Sequence, residues 1–428
     1  MKMHGGPQWL TIVASFVAAA GLWYWAVAIY APSNTTRAQS AGRPIGNNSD
    51  LYARWYGTRE LLLRGRNPYS PEVTREIQMG FYGRALDPAN ENDPKQQEGF
   101  AYPLYVAFLI APLAYLPFST AQRILCWLLL AAIAASVPLW ELAVGGRMRQ
   151  TSLFAATILA FGSYPAVMEF YQQNLAALVI FLIAAAVACV ARGWLLCAGF
   201  LLSLTTIKPE ISGLMIAWLL FWSLANLRER GKLALSFGVA LAALVLSAEL
   251  LLPHWVDHFL RSLREYAATE TDPSILRVIF PTWLATVSSA ALLILLAWVG
   301  WRARRSKAGS EQFSWTVALV GSSTLVLIPK FAAYNQLILV PVLLMFASHW
   351  QKIRESGMIA RALSKATFAA QSWQWAAALA LAVASVALPS ETIRRAASLP
   401  LATLLALPVL STLAVLVVGT QQQEQPGT

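Results

Sequence analysis

Several groups of side chains in this chain could do chemistry. Asp50 is a lone carboxylate opening the run Ser49-Asp50-Leu51-Tyr52-Ala53-Arg54-Trp55-Tyr56, with Arg54 one helical turn further on. A carboxylate so placed suits chemistry at a membrane surface, or the plainer task of capping a helix. Arg54 can pair with it at i,i+4 or hold a separate anion. Lys208-Pro209-Glu210 stands between two short apolar segments. Ionisable groups near membrane depth are costly and usually functional, although these two could also pair or reach out to the interface. Arg277, and Lys330 just before Phe331 and Tyr334, are further candidate cations. His254 and His258 have a spacing that can bind zinc. No third ligand is evident, so they read as interfacial histidines and no metal is expected. Cys126, Cys189 and Cys197 lie inside apolar segments and form neither a disulfide framework nor a ligand set.

The elements that must position these residues are hydrophobic. Of 428 residues, 57% are hydrophobic and 12% charged, which excludes a soluble domain. Apolar segments fall at 8–30, 102–117, 122–144, 151–168, 174–191, 195–207, 210–226, 233–252, 283–301, 313–328, 334–348, 373–389 and 398–419. In lipid each segment must satisfy its own backbone hydrogen bonds, so the expected fold is an all-α polytopic membrane protein. The first segment is too long for a signal-peptide core and reads as a retained anchor, despite the cleavage-site-like Ala28-Ile29-Tyr30-Ala31 at its end. About 70 mostly polar residues, 31–101, follow it.

The net charge of +11 would suggest nucleic acid in a soluble protein. Here it is spread over short connections, which points to membrane orientation and to no nucleic-acid partner. Basic clusters at Arg147 and Arg149, Arg192, Arg228 to Lys232, Arg302 to Lys307 and Lys352 to Lys365 occupy alternate connections and mark an expected cytoplasmic face. Tyr164 to Asn174, Lys208 to Glu210, Pro253 to Pro281 and Pro329 to Tyr334 would face outward. The 31–101 loop has nine basic and eight acidic residues and votes for neither side. It is expected outside, which requires one following segment not to cross. That segment is expected to be 102–117, short and interrupted by Pro103, Pro112 and Pro117. Twelve crossings with both termini inside would remain.

Asp50 to Arg64 has helical spacing, with Leu51, Trp55, Thr58 and Leu62 on one face. Trp255, Phe259, Leu263 and Tyr266 outline a second amphipathic helix, and both are expected to lie in the interface. The expected organisation is one domain over 1–428. It comprises a first span (8–30), a large external loop (31–101), core spans (102–252), a second external amphipathic loop (253–281) and C-terminal spans (283–419).

Further motifs run in order along the chain: Asp50-Leu51-Tyr52, Gly65-Arg66-Asn67-Pro68-Tyr69, and Tyr102-Pro103 with Pro112-Leu113 following. Then come Gln173-Asn174, Ala198-Gly199, Lys208-Pro209 and, weaker, Tyr334-Asn335. Over residues 45 to 232 this order resembles the GT-C-type glycosyltransferases of family 87, which include polyprenol-phosphate-mannose-dependent α-mannosyltransferases. The family commonly has Tyr-Pro-Pro where this chain has Tyr102-Pro103-Leu104, and Gly where it has Gln172.

The resemblance implies a GT-C-like bundle of about 12–13 hydrophobic segments. It also implies transfer of a hexose, most simply mannose, from a polyprenyl-phosphate donor to a glycan or glycolipid acceptor among membrane lipids. The implied location is the outer face of a bacterial inner membrane, with no cofactor. A phosphate leaves without the strong acid that glycosidases need, so paired carboxylates are unnecessary. One base suffices, with cations or donors to stabilise the phosphate and inversion at the anomeric carbon. Asp50 is the implied base. Arg54, Asn67, Tyr69, Tyr102, Gln173, Asn174, Lys208, Glu210, Arg277, Lys330, Tyr334 and Asn335 are the implied donor-phosphate or substrate contacts. Asn67-Pro68-Tyr69 could equally be only a turn. The alternatives are a polytopic transporter, for which an internal repeat would be expected and none is seen, or a non-catalytic lipid-binding protein.

Overall fold

The computed structural model describes residues 8–87, 89–90, 93–94, 98–146, 148–269, 273–329 and 331–423, with side chains as far as Gly419. Among them every regular element is a helix. Five helices are long and apolar enough to cross a membrane: Gln8–Ser40, Phe118–Ala143, Leu227–Leu251, Thr282–Ala303 and Ser390–Gly419. Gln150–Phe161 and Tyr164–Gln172, bent by 46° at Gly162-Ser163, could together make a sixth. The remaining apolar helices Ala176–Ala191, Leu195–Ile207, Pro209–Leu224 and Ala333–Ser348 are shorter. At 1.5 Å per residue, a 16-residue helix rises roughly 24 Å, less than the ~30 Å hydrocarbon core. The chain is an all-α polytopic membrane protein.

Its interior and its lipid face are sharply divided. From Phe313 to Val326 every residue of the Glu311–Leu327 helix is buried. The hydroxyls of Thr316 and Thr324 return to carbonyls four residues back, while those of Ser314 and Ser323 are buried without a partner. Ala176–Ala191 is likewise interior, between Phe118–Ala143 and Leu195–Leu204. Leu227–Leu251 and Thr282–Ala303 are the opposite case. They expose Leu235, Val239, Leu246, Trp283, Val287 and Ile294, a surface that only lipid solvates cheaply. Gly199 permits a close helix crossing, since a Cβ there would stand 2.3 Å from the Leu233 carbonyl oxygen.

The first helix continues to Ser40, ten residues beyond the expected end of the first span at 30. Ser33, Thr35 and Thr36 satisfy their hydroxyls on the carbonyls of Ile29, Ala31 and Pro32, so polar composition does not stop the helix. The C-terminal segment 373–389 is the second half of a longer helix, Met358–Ala387.

Two helices organise the polar region that follows. Asp50–Arg64 ends at Gly65, whose φ of 63° is the left-handed conformation that closes helices. Pro71–Tyr82 starts at Ser70, whose Oγ accepts from the Val73 amide. Arg66 ties the pair together, with Nη1 2.7 Å from Glu60 and 2.9 Å from Glu76. The apolar face of Asp50–Arg64 is covered by protein instead of lying free in the interface. Leu51, Trp55 and Leu61 are buried there, and Trp55 packs on Phe118 at 5.3 Å.

The segment 102–117 forms only the short helix Val106–Ala114, about 14 Å long. Both of its ends meet the Asp50–Arg64 helix. Tyr102 lies against Arg54, while Trp55 and Arg59 donate to the Leu113 and Ala114 carbonyls at 3.0 and 2.7 Å. Both carbonyls lie in the last turn of Val106–Ala114, where acceptors are left over; the Leu113 carbonyl also takes the Leu116 amide, and the Asp50–Arg64 helix completes the cap.

The basic connections gather at one end of the bundle. Arg230 donates to the Arg304 and Ser306 carbonyls, Lys352 pairs with Glu311, and Gly145 lies against Gly309. Asp50, Asn174 and Tyr334 meet at the other end, where Trp255 also packs on Tyr105. The Trp255–Thr269 helix docks through Trp255 and His258 and leaves Val256, Leu260 and Leu263 exposed.

Candidate active site

The site is assembled where the interruptions between helices at Gln173-Asn174 and at Lys208, and the 3-10 helix Ala333–Leu339, meet the start of the Asp50–Arg64 helix. Asp50 is the first residue of that helix, and Ser49 is its N-cap. The Ser49 hydroxyl makes no capping bond and is buried without a partner, and the Asp50 carboxylate is turned away from the helix amides. Its Oδ2 accepts a hydrogen bond from Asn174 Nδ2, which also lies 3.0 Å from the Tyr334 hydroxyl. Among the described residues, Oδ1 has no hydrogen-bond partner.

Asn174 is held by its surroundings. The Tyr164–Gln172 helix ends at Gln173, a non-glycine residue at φ 48°, whose amide donates to the Glu169 carbonyl at 2.8 Å. Asn174 Oδ1 then accepts from the Ala176 amide at 3.0 Å, and Glu169 Oε1 accepts from Ala177 at 2.7 Å. Two of the free amides opening the next helix are thereby satisfied. With Oδ1 occupied, the amide nitrogen of Asn174 must face Asp50.

Two buried cations stand near this carboxylate. Arg54 lies 4.1 Å over the Tyr102 ring, and its Nη1 donates to the Asp50 main-chain carbonyl. Of the two readings of Arg54, the i,i+4 pairing with the Asp50 carboxylate is replaced by a main-chain bond, because the carboxylate is turned to Asn174. The Arg54 Nε is buried without a partner. Burial opposes the guanidinium's charge, but Tyr102 and Asp50 beside it outweigh that and raise its pKa. Lys208 occupies the break between a short 3-10 turn, Thr205–Ile207, and the Pro209–Leu224 helix. Its ammonium is buried, 3.0 Å from Glu210 Oε1 and 5.4 Å over the Tyr334 ring. Glu210 is the exposed partner, with 40% of its side chain accessible.

Tyr69 supports the site from beneath. Its hydroxyl donates to the Tyr102 carbonyl at 2.6 Å, and burial pushes its phenol pKa up. His258 stacks on its ring at 6.4 Å. Asp50, Arg54, Tyr102, Asn174, Lys208, Glu210 and Tyr334 thus come together.

Other expected contacts have different partners. Asn67 forms a turn, accepting from the Tyr69 amide at 2.9 Å and, through its carbonyl, from Ser70. Gln173 is buried and bonded to Gln122 and Phe170. Asn335 is buried beside Tyr334 with Oδ1 unpartnered. Arg277 is exposed on the short Ile275–Ile279 helix and no hydrogen bond or ion pair among the described residues joins it to the group. Lys330 lies outside the described residues. His254 precedes its helix at φ 61°, with its amide on Glu249. No three His, Cys, Asp or Glu side chains converge among the described residues.

One group escaped sequence reasoning. Glu169 is 0% exposed, its Oε2 has no partner, and it lies within electrostatic reach of Lys208, Asp50 and Arg54. An acidic residue bordering an apolar segment was the available signal.

The arrangement offers one carboxylate oxygen for a hydroxyl proton and two cations for an anion. Neither the curated proteins nor the solved structures contain a match to the chain. The model of glycosyltransferase family 87 matches residues 100–329, more than half of the chain, including Tyr102, Asn174 and Lys208. With that match the chain belongs to glycosyltransferase family 87 and is a membrane glycosyltransferase.

Proposed function

We propose that the protein transfers a hexose, mannose, from a polyprenyl-phosphate donor to a glycan or glycolipid acceptor, with Asp50 as general base. The observation that carries this reading is the Asp50 carboxylate, oriented by Asn174, beside the buried cations Arg54 and Lys208 at one end of an apolar bundle. Asp50 Oδ1 takes the proton of the acceptor hydroxyl as that oxygen bonds to the anomeric carbon. The bond from that carbon to the phosphate oxygen breaks, and its electron pair leaves with the phosphate. Lys208 and Arg54 stabilise the departing charge. Attack opposite to the leaving group inverts the anomeric configuration. Arg54 suits an anion because its Nε is unpartnered; Lys208 suits one because its present partner, Glu210, is half-exposed and can turn to water.

The basic end, opposite the site, sits in the cytoplasm on the positive-inside rule. The site then faces outward at a bacterial inner membrane, where a lipid-linked donor is at hand. The test is transfer by the purified full-length protein in lipid nanodiscs, with polyprenyl-phosphate mannose and a membrane glycolipid extract. Labelled mannose should move to an acceptor with the anomeric configuration opposite to that of the donor. Transfer from a nucleotide sugar alone, with none from the polyprenyl-phosphate donor, contradicts the reading.

A further inference from the structure

The Tyr164–Gln172 helix, just before the buried turn into Ala176–Ala191, carries a carboxylate that the proposed reaction does not use. Glu169 has no solvent exposure. Its main-chain carbonyl receives the Gln173 amide, and its side chain reaches past the turn to the Ala177 amide. Asn174 binds the adjacent amide, Ala176. The two side chains grip successive amides of one helix start, so the left-handed Gln173 and Asn174 between them are held at both ends. Loss of the Glu169 grip would free Ala177, loosen the turn, and let Asn174 Nδ2 leave the Asp50 carboxylate.

We infer that Glu169 is a positioning residue: as the hydrogen-bond acceptor for Ala177 it fixes Asn174, and through Asn174 it aims Asp50 at the acceptor hydroxyl. The inference rests on the proposed role of Asp50. It assigns the effect to the acceptor oxygen and not to the negative charge. Glutamine retains a carbonyl oxygen at the same reach, so Glu169→Gln should keep the grip, while Glu169→Ala removes it. A displacement of about 1 Å at a reacting group can cost ~100-fold in rate, and Glu169 touches neither cation's expected anion. The loss should therefore fall on kcat and leave the donor KM in place.

The experiment is a double-mutant cycle on the full-length protein, read as kcat and donor KM for polyprenyl-phosphate mannose. Glu169→Ala is expected to lower kcat about ten- to a hundredfold with donor KM within about threefold. Glu169→Gln should stay within about threefold of wild type in both. Glu169→Ala combined with Asn174→Ala should be no slower than Asn174→Ala alone, because the two act through one geometry. Should the alanine variant not fold, Glu169→Leu keeps most of the volume, removes the acceptor, and takes its place. A glutamine variant as slow as alanine, multiplying losses in the double variant, or a slow Asn174→Ala beside a fast Glu169→Ala overturns this inference alone. Wild-type turnover in both Asn174→Ala and Asp50→Asn overturns it together with the reading of the site.

Discussion

Replacing Lys208 by alanine separates a phosphate ligand from a structural ion pair. The ammonium is buried and 3.0 Å from Glu210, whose side chain is 40% exposed. Removing one partner of a fully buried pair costs about 3–5 kcal/mol because the other is left uncompensated. Glu210 can rehydrate, so the loss of stability in Lys208→Ala should be smaller than that. The functional loss is set by the bond to the phosphate. A charge-assisted hydrogen bond contributes about 1.5–3 kcal/mol, and 1.4 kcal/mol is about tenfold. Lys208→Ala should therefore lose about ten- to a hundredfold in kcat/KM for the donor, and Lys208→Arg should retain part of it. Glu210→Gln removes the competing carboxylate and should leave donor KM unchanged or lower. The assay is initial-rate transfer with titrated donor at saturating acceptor, alongside thermal unfolding of each variant. Wild-type kinetics in Lys208→Ala would refute the phosphate role and leave Lys208 as a partner of Glu210 alone.

Three further outcomes follow from the architecture. In a background lacking Cys126, Cys189 and Cys197, Asn90→Cys should be modified by an impermeant reagent from outside and Arg305→Cys should not; the reverse pattern would invert the orientation. Gly57→Ala should destabilise by about 1–3 kcal/mol through overpacking, because its Cβ would stand 2.4 Å from the Phe100 ring; Phe100→Leu should relieve it, and a neutral Gly57→Ala would show that the ring moves freely. The Arg66 hydrogen bond holds the Glu76 carboxyl below its ordinary value of 4.5. Stability from such a depressed group is present above the unfolded pKa and lost as pH falls through the folded one. Hydrogen-exchange protection in Pro71–Tyr82 should therefore weaken as pH drops below about 4.5, and Glu76→Gln should flatten that dependence.

Local features were legible in the sequence and long-range ones were not. Asp50–Arg64 was readable end to end because a polar head, an i,i+4 apolar pattern and Gly65 all act within one helix. The prolines of 102–117 likewise announced a short element. The break at Gly162-Ser163 was hidden inside a continuous apolar run. Pro165, in the first turn of the next helix, cannot continue the preceding one; the close pass beside it, where a Cβ on Gly162 would lie 2.1 Å from that of Ala19, is made across the bundle and was not readable. The bond of Gln173 to Gln122 was not readable, because the two are 51 residues apart. Asn67 forms the turn that its Asn-Pro-Tyr motif allowed for. Glu169 was overlooked because its roles depend on Ala177 and on a turn geometry that spacing does not reveal.

The central claim is that the Asp50 carboxylate removes the acceptor proton. Asp50→Asn tests it most directly, since an asparagine oxygen can still accept from Asn174 and the side chain keeps its shape while losing the base. Loss of a general base typically removes about 10²–10⁴-fold of rate. Single-turnover transfer from polyprenyl-phosphate mannose should slow at least about a hundredfold in Asp50→Asn, with donor affinity and unfolding temperature retained. Transfer at the wild-type rate by a folded Asp50→Asn protein would contradict the account.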